Sequence, residues 1–142
     1  MRRIALVTLL LLASACATTR SVDVADAMRD WMDALNALDE ARVVDAFADD
    51  ATAFFPTAKA ERVDGKAAIA AVFREYFAAN MKKTNIVPEE LRVQRSGDLV
   101  VITFNVHNPS AISRRTFVWR RDARGWRIVH LHASNTRLTT PA

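Results

Sequence analysis

Hydrophobic positions follow two periods along the chain. They recur at helical spacing in the first half and alternate in the second. Val24, Met28, Trp31, Leu35 and Leu38 form one stripe and predict a helix over 23–38, with Asp23, Asp26, Asp30 and Asp33 mostly on another face. Asp39 is placed to cap a shorter helix over 40–47, with Val43, Val44 and Phe47 turned inward. Asp49-Asp50-Ala51 ends that helix and leads into a strand over 52–55, closed by Pro56, on which Phe54 and Phe55 point to opposite sides. After a loop over 57–63, Asp64 is placed to cap a third helix over 66–80, whose stripe is Ile69, Val72, Phe73, Tyr76 and Phe77.

A connector over 81–88 precedes the alternating half. Strands are expected over 91–95 and 99–107, joined by a Ser96-Gly97-Asp98 turn. The second has Val100, Ile102, Phe104 and Val106 on one face and Leu99, Val101, Thr103, Asn105 and His107 on the other. Runs over 116–121 and 126–133 flank Asp122-Ala123-Arg124-Gly125 and predict a hairpin. With Arg121 opposite Trp126, unbroken pairing sets Trp119 against Ile128, Phe117 against His130 and Arg115 against His132, all on one face. Val118, Val129, Leu131 and Ala133 share the other. Both faces are largely apolar. One is expected to cover the core and line a cavity, and the other to meet a second subunit. Helices followed by antiparallel strands make the class α+β: a curved sheet on about three helices, shaped as a cone with an open end.

The length of 142 residues fits a single domain, and 51% hydrophobic residues suffice for one core. The first residues form a leader: Met1-Arg2-Arg3, an apolar run over 4–12, then Ala13-Ser14-Ala15-Cys16. Small residues before a cysteine resemble the bacterial lipoprotein signal. The expected division is a signal peptide over 1–15, a tether over 16–22, the folded domain over 23–136 and a tail over 137–142. The product is expected to be exported to the periplasm or cell envelope and anchored by lipid on Cys16. An ordinary secretory cleavage after Ala15 or Ala17 is the alternative. Cys16 is the only cysteine, which excludes a disulfide framework. Losing Arg2 and Arg3 takes the 20 basic residues to 18 against 16 acidic ones, too small an excess for nucleic-acid binding.

The chain lacks Gly-x-Ser-x-Gly, and its three glycines build no phosphate loop. Its histidines are His107, His130 and His132. The His-x-His pair puts two rings on one strand face, about 6.5–7 Å apart. A metal would need a third ligand from His107 or Asp30, and no spaced ligand set supports one, so neither metal nor cofactor is expected. The histidines read instead as a polar floor bonded to Asn105, Arg115 or Tyr76. The candidate cavity residues are Trp31, Phe54, Tyr76, Asn105, His107, Arg115, Phe117, Trp119, His130 and His132. Asp30, His130 and His132 are the candidates for acid–base chemistry.

Two stretches of the hairpin, Thr116-x-Val118-Trp119-x-Arg121 and Trp126-x-x-Val129-His130-x-His132-x-Ser134, resemble the association domain of calcium/calmodulin-dependent protein kinase II. They also resemble the wider SnoaL-like, nuclear transport factor 2-like superfamily. Phe47-Ala48-Asp49-Asp50-Ala51 and Gly65-Lys66-x-x-Ile69 extend the likeness over roughly residues 23–135. It implies the cone fold, with the first helix roofing the cavity. The kinase domain has an arginine just before the Val-Trp pair, where this chain has Phe117. The superfamily hosts binding and assembly modules as well as acid–base enzymes such as cyclases and ketosteroid isomerases. Two functions therefore stay open. One is a homodimeric or larger module holding a small apolar or acidic ligand. The other is an isomerase or cyclase acting on a hydrophobic carbonyl compound.

Overall fold

The computed structural model describes residues 23–56, 61–79 and 85–137. Cys16, the leader and the tether lie outside them. The order is α1 (Val24–Ala37), α2 (Glu40–Asp45), β1 (Phe47–Phe54), β2 (Arg62–Asp64), α3 (Lys66–Ala79), β3 (Glu89–Ser96), β4 (Leu99–Asn108), β5 (Ala111–Asp122) and β6 (Gly125–Arg137). Among the described residues no helix is long and apolar enough to cross a membrane.

The helices form where the stripes lie, and their ends are set locally. On α1, Val24, Met28, Trp31 and Leu35 are buried, joined by Met32 and Ala34. The helix stops before Leu38, which turns left-handed (φ 59°) and closes its N–H onto the carbonyls of Ala34 and Leu35. Asp39 caps α2 by accepting from Arg42 N at 3.1 Å. That helix ends at Asp45 and does not reach Phe47. Ala46 O accepts from Ile128 N at 2.8 Å, which draws the chain into the sheet, and fully buried Phe47 opens β1. Gly65, at φ 88°, makes the turn into α3. Its N–H donates to Ala51 O at 2.7 Å and its carbonyl accepts from Ile69 N at 3.1 Å. Asp64, expected to cap α3, instead belongs to β2 and pairs with Arg62 at 2.7 Å.

The six strands lie in the order β2-β1-β6-β5-β4-β3. All neighbours are antiparallel except β1 and β6, which run parallel, so the sheet is mixed where only antiparallel pairing was expected. Its inner face packs Val100, Ile102, Phe104, Phe117, Trp119, Ile128 and Leu131 against α1 and α3. Phe117 is the hub of that core: Trp31 meets it edge-on at 4.8 Å, and Phe104 and Trp119 stack beside it at 5.7 and 6.4 Å.

The hairpin register breaks at one residue. Arg121 lies opposite Trp126 and Trp119 opposite Ile128, as expected, but Val118 lies opposite His130 and Phe117 opposite Leu131. Val129 is the extra residue of a β-bulge. Beyond it every side chain of β6 changes face. Leu131 and Ala133, expected outside, are buried in the core at 3% and 6% exposure. His130 and His132, expected inside, turn outward beside Val118 and Thr116. There His130 Nδ1 hydrogen-bonds Thr52 Oγ1 at 2.7 Å, and Phe54 packs against both imidazoles at 6.0 and 5.7 Å.

Two predictions follow from this geometry. Deleting Val129 would remove the extra residue and drive His130 and His132 into the core. The deletion variant is expected to lose cooperative thermal unfolding by circular dichroism. Val129→Ala keeps the residue count and is expected to cost only about 1 kcal/mol. A deletion variant that melts like the wild type would show that the bulge does not set the faces.

The second concerns pH. Partial burial pushes the His130 imidazole below its ordinary pKa of 6.5, and the positive neighbours His132 and Arg62 add to the effect. The unfolded chain therefore binds this proton more readily than the folded one, and the stability from neutral His130 is fully present above pH about 6.5. It is lost as pH falls through the lowered folded value. His130→Asn keeps a polar group near Thr52 and removes the titration. It is expected to flatten the fall in melting temperature between pH 7 and 5, and equal slopes in the two proteins would refute this assignment.

Candidate functional site

The helical roof does not fill the space above the inner face of the sheet. A cavity of about 400 Å³ opens between α1, α3 and strands β4 to β6, within the range of small-molecule sites. From α1 come Trp31, Met32 and Leu35; from α3, Val72, Phe73, Glu75 and Tyr76; from the sheet, Phe104, Arg115, Phe117, Leu131 and Ala133. Phe55, Pro56 and Ile86 complete the wall. The apolar members are where they are for one reason. The α1 and α3 stripes face the Val100–Phe104 side of β4, and each of these elements must cover its apolar face.

Aromatic contacts stiffen the lining. Phe73 packs against Trp31, Phe47, Phe55 and Phe77 with centroids 5.6–6.3 Å apart. The Trp31 indole is fixed by donating to Val43 O at 3.2 Å. Tyr76 stands edge-on to Phe77 at 5.5 Å. Asn36, on α1, holds Ile86 with a reciprocal pair: Ile86 N donates to Asn36 Oδ1 at 2.8 Å and Asn36 Nδ2 donates to Ile86 O at 3.2 Å. That pair pins the chain entering β3 across the cavity wall.

Arg115 supplies the cavity's positive charge. It lies opposite Phe104 on β4 and Ala133 on β6, which places it on the inner face. Its Nη1 donates to the carbonyls of Arg114 (3.0 Å) and Ser134 (3.4 Å). No carboxylate among the described residues lies within ion-pair distance of it. Desolvation pulls the Arg115 guanidinium below its usual range, partly offset by Tyr76. The group remains cationic at neutral pH. A cation held against an apolar wall is equipped to take an anion whose remaining surface is greasy.

Of the residues expected in the cavity, Trp31, Tyr76, Arg115 and Phe117 are brought together there. The others stand elsewhere. Phe54 is on the outer face with the two histidines, and its neighbour Phe55 takes the cavity position. Trp119 is fully buried beside Phe117 and outside the cavity wall. Asn105 donates to Glu90, and His107 Nδ1 meets Glu89 at 2.8 Å; both contacts are on the exposed β3–β4 edge. His130 and His132 are displaced by the bulge, and Asp30 is solvent-exposed on α1 away from the cavity wall. Among the described residues no three His, Cys, Asp or Glu side chains cluster as a metal site would require. The cavity residues missed by sequence reasoning include Glu75, Phe104, Leu131 and Ala133, along with Met32, Leu35, Phe55, Pro56, Val72, Phe73 and Ile86. Glu75 could have been found from Tyr76, its neighbour on α3; the two β6 residues were hidden by the register break.

This architecture matches known folds. A family model described as the SnoaL-like domain matches residues 24–137. No curated protein matches the chain. A nuclear transport factor 2-like protein of unknown function from Pseudomonas putida superposes with a TM-score of 0.72 at 23% identity, covering 78% of this chain and 82% of its own. A Thiobacillus denitrificans structure, provisionally described as a calcium/calmodulin-dependent protein kinase type II association domain, gives 0.69 at 25% identity, covering 84% and 98%. One from Parabacteroides distasonis, provisionally described as a ketosteroid isomerase, gives 0.65 at 18%, covering 80% and 85%. With four-fifths of its length matched and the cone architecture in place, the chain belongs to the SnoaL-like domain family.

Proposed function

We propose that the domain is a binding module for a small amphipathic acid, seating the apolar body in the cavity and the carboxylate on Arg115. The observation that carries this reading is the half-buried Arg115 guanidinium on an otherwise apolar wall, with no carboxylate among the described residues to pair it. A bound carboxylate would supply that counter-charge in a site of low dielectric. The residues first considered for acid–base work support binding over turnover, because Asp30, His130 and His132 all stand outside the cavity.

An isomerase or cyclase acting on a hydrophobic carbonyl compound is the second reading. Glu75 and Tyr76 favour it, since both border the same cavity as Arg115 and one could move a proton while the guanidinium steadies an oxyanion.

The module is also proposed to be an exported, lipid-anchored homodimer. The outer sheet face supports the dimer. Leu99 is 44% exposed there, next to the half-buried Val101 and Val118. Leu131, first placed on this face, belongs to the core.

Calorimetric titration tests the ligand. Wild-type protein is expected to bind 2-naphthoate, and Arg115→Met to weaken it at least tenfold, the worth of roughly 1.4 kcal/mol. Binding of neutral 2-naphthol should change little. Equal loss of both ligands, or no binding of naphthoate by the wild type, would overturn the assignment. Consumption of a carbonyl substrate that stops with Glu75→Gln or Tyr76→Phe would establish the enzymatic reading instead.

Sedimentation tests assembly. Val118→Asp would bury a charge in the dimer contact and is expected to give folded monomers at micromolar concentration. A wild-type monomer at that concentration would dispose of the homodimer.

A further inference from the structure

The inner face of the sheet is one strand wider than the roof above it. On β3, Val93 lies opposite Ile102 and Arg95 opposite Val100, and Leu91, two residues before Val93, shares their side. Val100 and Ile102 are each 1% exposed beneath the helices, whereas Leu91 and Val93 are 45% and 42% exposed. Val87, just before the strand, is 54% exposed. The one further large hydrophobic exposed among the described residues is Leu99, which belongs to the dimer contact proposed above. Single exposed apolar residues are ordinary, but three so close together on one edge mark a contact surface.

The partner is narrowed by where the chain enters the domain. Asp23 ion-pairs with Arg95 at 2.9 Å, so the chain reaches α1 beside this patch. Cys16 is seven residues upstream, and that many extended residues span at most about 25 Å. A lipid on Cys16 would hold this edge close to a bilayer. The charges suit an acidic lipid. Arg92, between Leu91 and Val93, is exposed and has no ion-pair partner among the described residues. The acids of the strand are engaged, Glu89 with His107 and Glu90 with Asn105. We infer that the β3 edge docks on the surface of an anionic phospholipid bilayer, with Val87, Leu91 and Val93 entering the headgroup boundary and Arg92 on lipid phosphate. This orientation rests on the lipid anchor proposed above and adds to it the side of the domain that meets the membrane. Docking is shallow, because the outward N–H and C=O groups of an edge strand find partners in water and headgroups and none in hydrocarbon. Ile86, which lines the Arg115 cavity, directly precedes Val87, so docking brings the cavity wall beside the lipid.

Cys16 is the only cysteine, so once it carries lipid a cysteine introduced at the surface takes a dye alone. The full-length protein is reconstituted in vesicles of phosphatidylethanolamine and phosphatidylglycerol at about 7:3. An environment-sensitive dye is placed at Leu91→Cys or, as a control on the far edge of the sheet, at Glu61→Cys. Nitroxide carried on lipid headgroups is expected to quench the Leu91 dye at least twofold and to leave the Glu61 dye unchanged. Exchanging phosphatidylglycerol for phosphatidylcholine, or Arg92→Gln, is expected to lessen that quenching. Val93→Asp, at an exposed position and checked for folding by circular dichroism, should return the Leu91 dye to water while the protein still floats with the vesicles. Equal quenching at both sites, or a Leu91 dye in water on wild-type protein that floats, would keep the anchor and overturn the docking. A protein that does not float would remove the anchor and the docking with it. If Val93→Asp instead turns a lipid-free dimer into monomers by sedimentation, a second copy covers this edge and the bilayer does not.

Discussion

Val129 has no partner across the hairpin, and the two-sided chemistry of the sheet rests on that one residue. The inner face must be covered, because Phe104, Phe117, Trp119 and Ile128 would otherwise leave a broad apolar surface in water. Near the turn the pairing that achieves this is Trp119 with Ile128. Carried on without a break, it would bury two histidines and expose Leu131. The bulge restores agreement between the pleat and the hydrophobic pattern by absorbing one residue. β1 makes a matching adjustment on the other side of β6. It pairs through Phe47 with Ile128 and again through Thr52 with His130, with a register shift between them in which Ala48 and Ala51 stay buried and Asp49 and Asp50 are exposed. Asp50 then takes a two-pronged ion pair from Arg120 on β5, at 2.8 and 3.2 Å.

Separating the faces also separates the chemistry. The inner side holds the Arg115 guanidinium, on a cavity that Tyr76 and Glu75 also border. The outer side holds the imidazoles, and their environment is basic: Arg62 stands across Phe54 from His132, and both Arg62 and His132 disfavour a proton on His130. His130 therefore sits as a neutral hydrogen-bonding partner of Thr52 near neutral pH. A histidine so placed ties β6 to β1 across the parallel seam. Parallel pairing is slightly weaker per residue than antiparallel pairing, so a side-chain bond across this seam is well placed.

Much of this fold could be read in advance, and the errors have a common origin. Helical stripes on α1 and α3 depend only on a 3.6-residue period, and Trp31, Phe73 and Tyr76 fell where that period put them. The alternation along β4 likewise put Val100, Ile102 and Phe104 on one face, which is the buried one, although Asn105 and His107 of the opposite face were expected in the cavity. Strand–strand register is a different kind of quantity, because one unpaired residue inverts everything after it. Nothing local marks Val129: it is a good strand residue between two others, with no glycine to advertise a bulge. Phe54 and Phe55 could not be told apart for a similar reason. Adjacent aromatics on a strand are equivalent until the partner strand fixes a face, and that partner, β6, is distant in sequence and lies beyond the bulge.

The position of Arg115 gains meaning from the residue two places along. In the kinase association domain that the hairpin resembles, an arginine precedes the Val-Trp pair; here Phe117 occupies that position and anchors the aromatic core. Side chains two apart on a strand share a face and lie about 6.5–7 Å apart. Arg115 thus puts a positive charge on the same wall while Phe117 closes the interior. Phe117 is 0% exposed, whereas Arg115 still reaches water. Full burial of an unpaired guanidinium would be prohibitive, whereas a half-buried one keeps part of its hydration and two carbonyl acceptors. Under the proposed function, the aromatic interior would select for the ligand's apolar body and the rim arginine would orient its charged end outward.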